Sequence, residues 1–133
     1  MGRLITAAAV MVLALAAAVA AQGPRFISAE DLKKRIDTGK RTVIVDARTE
    51  DEYRQGHIPK AINVPPEKVD VIGSFFPRNK KVPIVFYCRG PRCGLSKQAA
   101  AAAENEGYSN LFIYQGGYPE WVEKGYKTVR QKK

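Results

Sequence analysis

Residues 84–94 read Ile84-Val85-Phe86-Tyr87-Cys88-Arg89-Gly90-Pro91-Arg92-Cys93-Gly94. Four apolar, β-favouring residues run straight into a cysteine. A short loop with two arginines, a glycine and a proline follows, and then an alanine-rich helical run. An unbroken apolar run bounded by turn residues is the pattern of a strand buried on both faces of a parallel sheet. The loop leaving the carboxyl end of such a strand is where open α/β sheets bind ligands. Cys88 is thus expected at a strand tip, with the N-terminus of the next helix just past its loop. Helix-terminal N–H groups and nearby arginines favour an anion. They would turn Cys88 into a thiolate nucleophile and draw an anionic substrate to it. The plainer alternative is a buried cysteine that happens to end a strand.

Working outward, strand and helix patterns alternate. Arg25-Phe26-Ile27 reads as a short edge strand. Ser28, with Asp31 three residues on, opens a helix from Ala29 to Asp37 that buries Leu32 and Ile36 and stops at Gly39. Val43-Ile44-Val45 reads as a second buried strand delivering Asp46. Thr49-x-x-Glu52 is a capping box for a helix from Glu50 to Gln55, stopped by Gly56. His57-Ile58-Pro59 is a turn and Ala61 to Val64 a short strand. The segment from Pro65 to Phe76 is expected to hold one helix. Beyond the cysteine loop, a helix from Gly94 to Asn105 packs its alanines on the sheet. Leu111 to Tyr114 is a further strand, and Tyr118 to Lys124 a helix burying Trp121 and Val122. This alternation predicts an α/β domain of three layers, with a mainly parallel central sheet flanked by helices.

The chain has 133 residues, enough for one domain with a core that needs no disulfide staples. Met1-Gly2-Arg3 followed by an apolar run from Leu4 to Ala21 has the layout of a signal peptide, and small residues at 18–21 suit cleavage. The rival is an uncleaved N-terminal anchor, because the run lies at the lower edge of spanning length. The expected organisation is a leader over 1–21 and a single domain over 22–133, with its core at about 25–129. Export to the periplasm is expected, or a membrane-anchored domain facing it. The net charge of +9 suits nucleic acid, anionic lipid or small anions. No lysine-arginine block longer than three residues supports nucleic acid, and membrane contact is expected only through an uncut leader. Two cysteines and one histidine are too few for a structural zinc site. A bridge between Cys88 and Cys93 would close only a short loop and add little stability. A catalytic or redox pair is the better reading, although the spacing is not C-x-x-C.

The sequence resembles the rhodanese-like family at three places in the family's order. Asp46-Ala47-Arg48-Thr49-Glu50-Asp51-Glu52-Tyr53-Arg54-Gln55-Gly56-His57-Ile58 is similar to its D-x-R-x-x-x-E-Y-x-x-G-H-I signature, continued by Ala61-Ile62-Asn63-Val64-Pro65. Gly116-Gly117-Tyr118-Pro119-Glu120-Trp121 with Gly125-Tyr126 is similar to its C-terminal motif, and Cys88 stands between them. With its leader, the chain resembles small single-domain exported rhodaneses.

The resemblance implies a sulfurtransferase without cofactor or metal, expected to be a monomer. Cys88 would attack the outer sulfur of thiosulfate, release sulfite and carry a persulfide to cyanide or a thiol. It implies that loop residues Arg89, Gly90, Pro91, Arg92, Cys93 and Gly94 fold around the sulfur, with Arg89 and Arg92 holding the dianion. Many family loops read C-x-x-G-x-R-S. Here Cys93 stands where the arginine would, so Arg92 does not inherit that arginine's place by alignment. Cys93 is either a resolving thiol that attacks the Cys88 persulfide or a small helix-start residue. Asp46 and Arg48 leave a strand at the same sheet edge, where they either brace the loop by pairing or reach substrate. The implied role of His57 is structural, and Trp121 and the tyrosines read as core. Cysteine phosphatases have similar loops but need an arginine six positions after the cysteine, where this chain has Gly94. The alternative of another kind is a thiol-redox or sulfur-carrier module that uses Cys88 and Cys93 with little turnover.

Overall fold

A computed structural model describes residues 23–132; the expected leader over 1–21 lies outside the described residues. Five strands form one sheet in the order β1-β5-β4-β2-β3, and every neighbouring pair is parallel. They are β1 (Arg25–Phe26), β2 (Val43–Asp46), β3 (Ala61–Asn63), β4 (Ile84–Tyr87) and β5 (Leu111–Tyr114). The helices are α1 (Ala29–Asp37), α2 (Glu50–Gln55), α3 (Leu95–Asn105) and α4 (Gly117–Glu123). The expected three-layer, parallel architecture is what the chain adopts.

β4 is central and buried along its whole length because both faces are covered. Strand side chains alternate between faces. Ile84 and Phe86 pack with Cys88 against the alanines of α3, whereas Val85 and Tyr87 pack with Leu32 of α1 and Trp121 of α4. Ser28 and Thr49 cap α1 and α2 through their hydroxyls, each accepting from the N–H three residues on. Chain direction reverses between β2 and β4: β2 leads outward to β3, while β4 leads the other way to β5. The carboxyl ends of these two strands, carrying Asp46 and Cys88, therefore flank a topological switch point.

Three local expectations are corrected. The segment after Pro65 is a 3₁₀ stretch, Pro66–Phe75, broken by non-helical backbone at Val71. It buries only Ile72, so no helical stripe forces a regular α-helix there. Val122 is 49% exposed, because the seven-residue α4 offers the core only the face that carries Trp121. Ile36 is half-buried at the edge of the core that covers Leu32. Among the described residues, no helix is long and apolar enough to cross a membrane.

Ala99, Ala100 and Ala103 are fully covered by the sheet and the 3₁₀ segment, while Ala101 faces solvent. Ala100→Leu should therefore destabilise the protein by about 1–3 kcal/mol through overpacking, with Ala101→Leu close to neutral, as read by chemical denaturation.

Candidate functional site

Cys88 leaves β4 almost wholly buried, and the chain then turns back over it. Gly90 to Cys93 is a β-turn closed by the Cys93 N–H donating to the Gly90 carbonyl at 3.1 Å. Pro91 sits second in that turn, where its fixed φ suits the geometry. The turn folds Cys93 back over Cys88, and the two are joined as a disulfide with Cα atoms 6.3 Å apart. It closes a loop of five residues, a length at which a bridge adds little stability. Its significance is chemical.

The helix after the loop is exposed to an anion at its start. Gly94 occupies the N-cap of α3 without a side-chain cap, and the first turn holds no acid. The first N–H groups of α3 are thus left for an external or covalently held anion. Ser96, in that first turn, is buried, and its Oγ lies 3.3 Å from Cys88 Sγ. No other hydrogen bond engages this hydroxyl among the described residues. The sequence reading passed over Ser96; its only signal is a serine in the first turn of the helix that follows the cysteine loop.

The two loop arginines have different surroundings. Arg89 grips Glu52 through its guanidinium, with Nε 3.0 and 2.9 Å from the two carboxylate oxygens. Beyond its place in the capping box, the Glu52 carboxylate accepts from Arg89 and from the Thr49 hydroxyl. The Arg89 hydrogen bond holds the Glu52 carboxyl below its ordinary value, against a smaller effect of burial. The pair is therefore intact at neutral pH and opens only as pH falls through that lowered value. Arg92 is exposed and has no ion pair or hydrogen-bond partner among the described residues. An open pocket of about 650 Å³ is lined wholly by residues 89–95. A larger hollow of about 980 Å³ lies between Arg54 and Arg130, and its lining includes no cysteine.

Asp46 and Arg48 pair with each other rather than reaching the loop. Arg48 donates to the Asp46 carboxylate from Nε at 3.1 and 3.2 Å, from Nη2 at 2.8 Å and from its own N–H at 2.9 Å. Tyr87 OH adds a fourth donor at 2.6 Å, and the Ile58 N–H donates to that hydroxyl at 3.1 Å. Burial raises the Tyr87 phenol well above its ordinary value, and the Asp46 charge adds to this, so it stays a donor. Burial opposes the Arg48 charge, but the Asp46 carboxylate outweighs it and leaves the guanidinium more basic than usual. Asp46 pairs with Tyr87 in the β2–β4 register, on the face opposite to Cys88. The network acts on the loop from behind: the Arg48 guanidinium lies 4.1 Å above the Tyr118 ring, and the Tyr118 N–H donates to the Cys88 carbonyl at 2.9 Å.

Gly117 makes that contact sterically possible. Its φ is +69°, and a Cβ there would stand 2.6 Å from both the Cys88 carbonyl oxygen and the Gly90 nitrogen. His57 is structural: Nδ1 donates to the Tyr53 carbonyl at 2.8 Å, and its backbone pairs with Val129. Trp121 is core, with Nε1 donating to the Lys127 carbonyl at 2.8 Å. Among the described residues, no group of three or more metal-ligating side chains is assembled.

A family model described as Rhodanese-like domain matches residues 28–124. A sulfurtransferase of Allochromatium vinosum is 34% identical over 104 residues, covering 77% of this chain and 92% of that protein. A thiosulfate:glutathione sulfurtransferase of Saccharomyces cerevisiae is 33% identical over 112 residues, covering 74% of this chain and 78% of that one. Among solved structures, a human single-domain sulfurtransferase superposes with a TM-score of 0.64 at 28% identity, covering 77% of this chain and 98% of its own.

In the reduced protein, Ser96→Ala should raise the pH at which Cys88 is alkylated by about one to two units. That is the effect of removing one hydrogen bond to a charged group, and the pH profile of iodoacetamide labelling reads it directly.

Proposed function

The chain belongs to the rhodanese-like domain family, and we propose that it is a sulfurtransferase that moves sulfane sulfur through a persulfide on Cys88. The observation that carries this reading is the placement of Cys88. It ends the central strand at the switch point, with its sulfur against Ser96 and the uncapped start of α3. In the reduced state these groups stabilise a thiolate, and after sulfur uptake they stabilise the anionic persulfide. Thiosulfate is the proposed donor, and a low-molecular-weight thiol the proposed acceptor, with cyanide serving in its place in an assay. The thiosulfate:glutathione sulfurtransferase among the relatives supports this choice.

In the donor step, the Cys88 thiolate attacks the outer sulfur of thiosulfate. The sulfur–sulfur bond breaks, sulfite departs with the electron pair, and Cys88 carries the persulfide. Arg92 is the free cation at the mouth of the loop and is assigned to the sulfonate oxygens of the dianion. Arg89, tied to Glu52, is assigned to holding the loop, with Glu52 as its anchor. Asp46 and Arg48 are positioning residues. We further propose that residues 1–21 direct the domain to the periplasm and that it works there as a monomer.

The Cys88–Cys93 disulfide favours a second reading, a thiol-redox or sulfur-carrier module of low turnover. Turnover separates the two. Cyanolysis of thiosulfate at steady state should proceed in the reduced protein and vanish in Cys88→Ser; activity retained without Cys88 would sink the sulfurtransferase reading. Arg92→Ala should raise KM for thiosulfate about 10- to 100-fold with little change in kcat, from the loss of a hydrogen bond between charged groups. An unchanged KM would remove Arg92 from the binding site.

A further inference from the structure

We propose that Cys93 resolves the Cys88 persulfide within the chain, so that the protein releases its sulfur as hydrosulfide and ends as the Cys88–Cys93 disulfide. The inference rests on the sulfurtransferase reading and adds to it a product and a class of reductant. Two observations carry it. The Cys93 sulfur is bonded to Cys88 Sγ itself, so it reaches the inner sulfur of any persulfide formed there. The Gly90–Cys93 turn, closed by a backbone hydrogen bond and holding Pro91 at its second position, keeps the second thiol over the first.

The step balances without an external oxidant. The Cys93 thiolate attacks Cys88 Sγ; the bond from Sγ to the outer sulfur breaks, and that sulfur leaves with the electron pair and takes up the Cys93 proton as hydrosulfide. The persulfide sulfur is reduced and the two cysteines are oxidised to the disulfide. A dithiol reductant then reopens the bridge by exchange, becoming a disulfide itself. Over a full cycle, thiosulfate and one dithiol give sulfite, hydrosulfide and one oxidised dithiol. A monothiol acceptor competes by taking the outer sulfur before Cys93 closes. Holding both sulfurs in one loop gives Cys93 a high effective concentration against that competitor.

The test is a single turnover with protein reduced by a dithiol, desalted, and mixed with a limiting amount of thiosulfate in the absence of any acceptor. Sulfite, hydrosulfide and free protein thiols are counted after quenching. The wild-type chain should release sulfite and hydrosulfide in equal amounts and lose two thiols for each sulfite released. Cys93→Ala should slow hydrosulfide release relative to its own sulfite release by a factor on the order of a hundred, holding the sulfur as a cyanide-labile persulfide. Cys93→Ser is the second variant, and it should match Cys93→Ala. A wild-type chain that keeps a stable persulfide, or that shifts the sulfur onto Cys93 without hydrosulfide, overturns the proposal and leaves the sulfurtransferase reading intact. Absence of sulfite from every chain overturns both at the donor step.

Discussion

The Asp46 carboxylate is the constraint on which the site depends. It lies fully buried at the end of β2, where an unpaired charge is untenable, and it collects donors from two residues. Arg48 folds back on it from the same loop, and Tyr87 reaches it from the neighbouring strand. Arg48 continues to the Gly56 carbonyl at 2.6 Å, and Asn63 donates to the carbonyls of Asp46 and Arg48. The carboxyl ends of β2, β3 and β4 and the end of α2 are thereby locked in one arrangement. Removing one partner of such a buried pair typically costs on the order of 3–5 kcal/mol, because the other charge is left unmatched. The same guanidinium lies over Tyr118, whose backbone N–H fixes the Cys88 carbonyl. The network braces the Cys88 loop from one layer, and Cys88 itself packs into the other.

On that other side the chemistry comes from main chain and one hydroxyl more than from charge. Of the loop's two guanidinium groups, one is matched by Glu52 and only Arg92 is open. The uncapped start of α3 supplies the rest of the positive field, and Ser96 adds a hydrogen bond at the sulfur. An anion therefore meets the uncapped start of α3 and the Ser96 hydroxyl beside Cys88, with the exposed Arg92 at the rim. That arrangement agrees with the small dianion proposed as the sulfur donor.

Much of this was legible in the sequence. The run from Ile84 to Tyr87 marked the buried central strand and placed Cys88 at its carboxyl end, because both follow from strand burial and chain direction. The helix bounds at Ser28, Thr49 and Gly56 follow from local capping chemistry. Other features depend on contacts between distant parts of the chain. Glu52 meets Arg89 across 37 residues, and its capping-box pattern concealed that role. The separation of Asp46 and Arg48 from Cys88 depends on which residue of β4 lies beside Asp46, and only the register supplies it. Ser96 needed the true start of α3 at Leu95. The Pro66–Phe75 segment carries too weak a periodic pattern to reveal its break at Val71.

The central claim is that the Cys88 sulfur takes the outer sulfur of a small anionic donor. The most direct measurement is the burst of sulfite on mixing reduced protein with excess thiosulfate in the absence of any acceptor. The account predicts a burst of about one equivalent of sulfite per chain, lost entirely in Cys88→Ser. No burst from fully reduced wild-type protein, or a burst that survives in Cys88→Ser, would contradict it.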